Sequence, residues 1–126
     1  MSTPTCMETS RAAWTELPDW VEALARKCDQ QSQAAVAREL QRSPSLVNLV
    51  LKARYPGDLA SVEELVRGAF MNGMVACPAL GPLRQDECVH WREKARKFQS
   101  GNPLRTRMYR ACQGCPRFQG EANDQP

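Results

Sequence analysis

Aromatic residues are scarce in this chain of 126 residues, at 6%, and His90 is the only histidine. No apolar run approaches the roughly 18 residues that a membrane span needs. The stretch from Met1 to Arg11 is polar and carries Glu8, which is not the build of a secretory signal, so a cytoplasmic location is the expectation. The lone histidine has no catalytic motif around it. Without a nucleophile, histidine and acid set, the chain does not read as an enzyme. Strand-like alternation, internal repeats and low-complexity tracts are missing as well, which leaves an all-α fold as the expectation.

What is present is the composition of a globular chain: 42% hydrophobic residues, 25% charged residues and a mean hydropathy of -0.54. The length suits one domain or a small domain with an appended module. The net charge of +3 is unevenly spread, being -2 over residues 1–30, +1 over 31–76 and +4 over 77–126. Six cysteines in a chain without an export signal point to metal binding or buried thiols, because the cytosol keeps thiols reduced.

Residues 1–14, rich in Ser and Thr and lacking periodicity, read as a flexible tail. Helical pattern begins near Pro18, a residue suited to the first helical position, and Leu17, Val21, Leu24 and Cys28 form its stripe. Ser32 can cap a second helix with Val36, Ala37 and Leu40 inward. Ser43 followed by Pro44 starts a third, whose core face is Val47, Val50 and Leu51 and whose far side holds Ser45, Asn48, Leu49 and Lys52. Tyr55-Pro56-Gly57-Asp58 supplies a turn and a cap for a fourth helix, carrying Leu59, Val62, Leu65, Val66, Ala69 and Phe70 and ending at Gly73.

Two short helices joined by a tight turn have the outline of a helix-turn-helix, in which the second helix lies in the major groove of DNA. The candidate DNA contacts are Gln33, Arg38, Ser43, Ser45, Asn48 and Lys52. Asn48 can pair with adenine and Lys52 with guanine or phosphate, while Leu49, at the centre of the outward face, can pack on a thymine methyl. Gln33 sits where the second helix begins and can meet a base or the backbone.

The stretch from Gln33 to Lys52, QAAVARELQRSPSLVNLVLK, resembles the Cro/repressor-type helix-turn-helix family. Ala37 falls where close helix crossing wants a small residue, and Val47 with Val50 or Leu51 falls where that family buries aliphatics. Gln41 stands where the family usually has glycine, which requires a left-handed backbone at some cost. Over residues 20–70 the chain is similar to the N-terminal domain of phage Mu B-type transposition ATPases, but no Walker-type phosphate loop follows. The resemblance implies a four- to five-helix lambda-repressor-like domain over residues 15–73, and a DNA-binding regulator of the kind Mu-like transposable phages encode. A homodimer is a further implication, since many members of the family bind as dimers.

Cys77, Cys88, Cys112 and Cys115 have the spacing C-x10-C-x23-C-x2-C. Between Asp86 and Phe98, the residues Cys88, Trp91, Ala95 and Phe98 share a helical face; between Pro103 and Cys112, Leu104, Met108 and Cys112 share another. Ser100-Gly101-Asn102 joins the two into an antiparallel hairpin. The helices match in length, roughly 15 Å and roughly 14 Å at about 1.5 Å per residue. The hairpin therefore sets Cys88 beside Cys112, Gly114 turns Cys115 to the same place, and Cys77 enters just before. Four converging thiolates build a closed structural zinc site over residues 76–118, with an iron-sulfur cluster as the alternative. Buried reduced thiols are the reading without a metal. His90 points off the cysteine face, Cys6 reads as a free thiol, Cys28 as a core residue and residues 119–126 as a second flexible tail.

The same hairpin carries Arg92, Lys94, Arg96, Lys97, Arg105, Arg107 and Arg110, interrupted only by Glu93. Arg107 and Arg110 share an exposed face able to hold phosphate of double-stranded DNA, or to dock an acidic surface of a host protein. The second possibility defines the competing class, a protein-interaction module that does not touch DNA.

Overall fold

The computed structural model describes residues 4–96 and 102–118. It is mostly helical, with seven helices of eight residues or more and one two-stranded sheet among the described residues. The chain divides into two compact units, Met1–Gly73 and Met74–Pro126. No helix among the described residues is long and apolar enough to cross a membrane.

Unit 1 holds α1 (Cys6–Ala13), α2 (Asp19–Gln30), α3 (Gln33–Leu40), α4 (Pro44–Leu51) and α5 (Leu59–Phe70). Helix α2 touches all four others. Its inward face, Trp20, Val21, Leu24, Ala25 and Cys28, meets Val36 and Leu40 of α3, Val47, Val50 and Leu51 of α4 and Val62, Leu65 and Val66 of α5 in one core. Each fully buried Val or Leu stabilises such a core by about 1.5–3 kcal/mol relative to exposure. The caps are side chains: Ser32 Oγ accepts from the Ala35 amide, Ser43 Oγ from Leu46 and Asp58 Oδ1 from Ser61. Pro18 stands just outside α2 as its extended N-cap, one position earlier than the sequence predicts.

Of the flexible tail expected over 1–14, the stretch Cys6–Ala13 is instead a helix, and residues 1–3 lie outside the described residues. Thr5 and Glu8 form a reciprocal capping box that starts α1. The Asp29 carboxylate then accepts from the Cys6 and Met7 amides at 2.8 and 3.1 Å, placing a negative charge at the positive end of the helix. At the other end Trp14 Nε1 donates to the Val50 carbonyl at 3.0 Å, and its ring meets Trp20 edge-on with centroids 6.4 Å apart.

Three helix ends in unit 1 pass through left-handed backbone at residues other than glycine: Gln41 (φ 57°), Ala53 (φ 56°) and Asn72 (φ 57°). At Gln41 the paired bonds of such an end are present, Arg42 N to Ala37 O at 2.9 Å and Gln41 N to Arg38 O at 3.1 Å. Asn72, rather than Gly73, makes the left-handed turn after α5, and the Gly73 amide reaches back to Arg67 O at 2.8 Å.

Unit 2 corrects the purely helical expectation. Strands β1 (Met74–Cys77) and β2 (Gly81–Arg84) pair antiparallel, with Cys77 opposite Gly81. The connection is Pro78-Ala79-Leu80, and Gly81 supplies the positive φ of 74° that closes a short hairpin. Helices α6 (Gln85–Lys94) and α7 (Pro103–Gln113) follow and pack on each other, with α6 also against both strands. Helix α6 ends earlier than the sequence pattern predicts, with Ala95 as its C-cap. Phe98, Ser100 and Gly101 lie outside the described residues. The core here is small: Leu83, Cys88, Val89, Ala95, Met108, Cys112 and Phe118. Leu104, expected inward, is 45% exposed, and Arg105 is half-buried in its stead.

Candidate functional site

Two groups of candidate residues exist, one in each unit. In unit 1, α3 and α4 are joined by Gln41-Arg42-Ser43. Asn48 Nδ2 donates to Gln33 Oε1 at 3.3 Å, and Gln33 Nε2 donates to Cys6 Sγ at 3.6 Å. Gln33 and Asn48 are both half-buried. Gln33 is therefore not the open contact that the sequence predicts but a bridge from α1 to α4, and it orients the Asn48 amide. Arg38, Ser45 and Lys52 are exposed, while the exposed Ser43 uses its hydroxyl as a cap. Leu49 is half-buried, not the centre of an open face.

Cys6, expected as a tail thiol, is half-buried at the start of α1 beside Cys28. Burial pushes the Cys6 thiol up, and pushes Cys28 up to about 12, with the neighbouring Cys6 adding to that rise. Both stay protonated at neutral pH, which makes them packing groups rather than nucleophiles.

In unit 2, Cys77 ends β1, Cys88 lies in the first turn of α6, Cys112 in the last turn of α7, and Cys115 follows the turn at Gly114. All four line one cavity of about 20 Å³, room for about one water-sized sphere, together with Trp91 and Arg92. His90 is not among its lining residues. The Cys112 thiol is pushed up to about 11, first by burial and then by the negative charges that Cys88, Cys115 and Cys77 would carry, while Arg92 pulls it down. Cys88, Cys115 and Cys77 are thus within electrostatic reach of Cys112. None of the four is in a disulfide, and among the described residues no three His, Cys, Asp or Glu side chains are grouped so as to hold a metal ion. The four cysteines are of the donor type that zinc takes and line one cavity, but they are not gathered there as a ligand set.

The basic row on the hairpin is not one face. Arg92 is buried at 3% exposure and faces the cysteine cavity, and Arg105 is half-buried. Lys97 lies outside the described residues. Arg107 and Arg110 are exposed and line an open groove with Asn102, Pro103 and Thr106, and Arg107 Nη2 donates to Ala79 O at 2.9 Å. Sequence reasoning counted Arg92 only as one of the hairpin's basic row; its position four residues after Cys88, hence on the same side of α6, is what could have marked it. No family model, curated protein or solved structure matches the chain.

Proposed function

We propose that the protein binds double-stranded DNA sequence-specifically through a lambda-repressor-like helix-turn-helix formed by α3 and α4, as a transcriptional regulator of phage or prophage type, and that its second unit is a structural zinc module. The observation that carries the DNA reading is the Gln33–Asn48 pair. An asparagine amide fixed by a neighbouring amide is oriented before it meets a base edge, and the bidentate pairing of Asn with adenine depends on that orientation. Exposed Arg38, Ser45 and Lys52 flank it with groups suited to phosphate and base edges. Arg107 and Arg110 of unit 2 are candidates for additional phosphate contact.

The zinc reading rests on the donor set. Cys77, Cys88, Cys112 and Cys115 are four ligands of the type that closed structural zinc sites use, and all four line one cavity. Binding requires the four thiols to lose their protons and close to about 2.3 Å from the ion. Zinc, when bound, would supply folding free energy to a unit whose own core is small.

A duplex selected from a random pool, followed by competition binding across a salt series, tests the DNA reading. Asn48→Ala should cost about 1–3 kcal/mol on the selected site and relax preference at one base pair, with folding unchanged. Affinity for the parent should fall steeply with salt as phosphate contacts are lost to counterions. A protein that selects no duplex, and whose weak binding ignores salt, belongs instead to the interaction-module class.

A further inference from the structure

We propose that Cys6 is a positioning residue for base recognition, the sulfur link in a hydrogen-bond relay from Asp29 through Cys6 and Gln33 to Asn48 whose fixed polarity makes the Asn48 amide select adenine over guanine. This inference rests on the DNA reading of unit 1, and it assigns part of that reading's specificity to a residue outside α3 and α4. An amide side chain can be turned over with little change in shape, because its oxygen and nitrogen ends are nearly alike in size. What fixes it is the direction of its hydrogen bonds.

The direction is set at Asp29. An ionised carboxylate can only accept, and this one takes the Cys6 and Met7 amides at 2.8 and 3.1 Å. It accepts from the Cys6 thiol as well: burial is the first cause of the raised thiol, the Gln33 hydrogen bond opposes it, and the Asp29 charge and hydrogen bond add to it. With its proton turned to Asp29, the Cys6 sulfur presents lone pairs, and Gln33 Nε2 donates to it at 3.6 Å. Gln33 must then offer Oε1 at its other end, where Asn48 Nδ2 donates at 3.3 Å. Asn48 keeps Oδ1 and its second Nδ2 hydrogen for a base edge. One acceptor beside one donor complements the N6 donor and N7 acceptor of adenine. Turned the other way, Gln33 would face Asn48 with Nε2 and Asn48 would answer with Oδ1. Two donors would then remain outward, which suits O6 and N7 of guanine. The four residues stand on α2, α1, α3 and α4, so the packing of unit 1 holds the relay in line.

The test is base preference at the position where Asn48→Ala relaxes selectivity. It is read by competition between adenine and guanine versions of a duplex selected from a random pool, together with the side-chain amide signals of Gln33 and Asn48 in heteronuclear NMR of the DNA-free protein. The parent should favour adenine by about 5–150-fold, the worth of a bidentate pair. Cys6→Ala, which removes the acceptor, should cut that preference about fivefold, roughly what one hydrogen bond contributes, and move both amide signals. Cys6→Ser, which can donate to Asp29 and accept from Gln33 as the thiol does, should keep the preference. Equal loss of affinity on both duplexes in Cys6→Ala would mark a merely structural residue and reject the relay. Parent protein that selects no duplex overturns the DNA reading and this inference with it. A parent that prefers another base at that position overturns the relay alone, as does Cys6→Ala that stays equally selective or leaves the Asn48 signal unmoved. Should Cys6→Ala release α1, Cys6→Val decides, since it fills the site without accepting. Preference lost with α1 still protected from hydrogen exchange supports the relay, and preference kept rejects it.

Discussion

Cys112→Ser is expected to abolish the zinc binding proposed for unit 2 and to unfold that unit while leaving unit 1 folded. Cys112 is 7% exposed in the last turn of α7 and packs with Ala95 and Phe118, so it belongs both to the small core and to the proposed ligand set. Structural zinc in small domains contributes on the order of 10–16 kcal/mol of apparent binding free energy, which is more than the core of a unit this size supplies by itself. Removing one thiolate of four forfeits most of that, and the units are compact separately, so the loss should not propagate. Elemental analysis of the purified variant, with amide hydrogen exchange resolved by residue, measures both halves of the expectation: no zinc, protection lost from β1 to α7, protection retained in α2 to α5. Wild-type protein that is folded, free of metal and open to thiol reagents at all four cysteines would contradict it.

Trp20→Ala should destabilise unit 1 by about 3–5 kcal/mol, the range for emptying a buried tryptophan site. Trp20 is 4% exposed at the start of α2, and its ring supports Trp14, which in turn donates to the Val50 carbonyl. The substitution therefore opens a cavity and loosens the contact that holds the end of α1 to α4. At about 4–8 °C per kcal/mol for a domain of this size, the melting temperature should fall by more than ten degrees. Thermal unfolding followed by circular dichroism reads it directly. A fall of only a few degrees would mean that Trp20 is not part of a packed core.

Helices α3 to α5 were legible because each announces itself twice, by a cap residue (Ser32, Ser43 with Pro44, Asp58) and by an aliphatic stripe, whereas α2 shows only Pro18 and its stripe. The left-handed turn at Gln41 was implied by the resemblance, which has glycine at that position, and the backbone there has φ 57°. Helix α1 was hidden by composition: its Ser and Thr residues resemble a tail, although Thr5 and Glu8 stand three apart as a capping box does. What anchors it, Asp29 and Trp14, acts across the fold and leaves no local pattern. The β-hairpin was missed for a different reason. Its strands are four residues long, one contains Pro82, and the outward side of β1 exposes Met74 and Ala76, so period-two burial never becomes a hydrophobic pattern. Only the spacing of Pro78 and Gly81 marks the turn. In α7 both Leu104 and Arg105 are compatible with an inward face set by Met108 and Cys112, and tertiary packing chose the charged residue over the apolar one. The four cysteines line one cavity although α6 ends at Lys94, short of the length that the sequence predicts, and Arg92 beside them reads in one dimension as one more charge of the basic row.

The left-handed helix ends at Gln41, Ala53 and Asn72 mean that unit 1 folds below its own thermal ceiling. Asparagine tolerates that conformation through local hydrogen bonding, but glutamine and alanine set a β-carbon against the following carbonyl at roughly 1–2 kcal/mol each. Alanine has no polar side chain with which to offset the strain, and the Arg54 amide still closes onto Leu49 O at 2.9 Å, so the conformation is imposed by the surrounding helices. Ala53→Gly should relieve most of that strain without moving an atom of the core, raising the midpoint of thermal unfolding by several degrees. A chain in this condition has hardening substitutions within one step, at the turns that end helices rather than in the core, so resistance to heat can change while the core stays as it is.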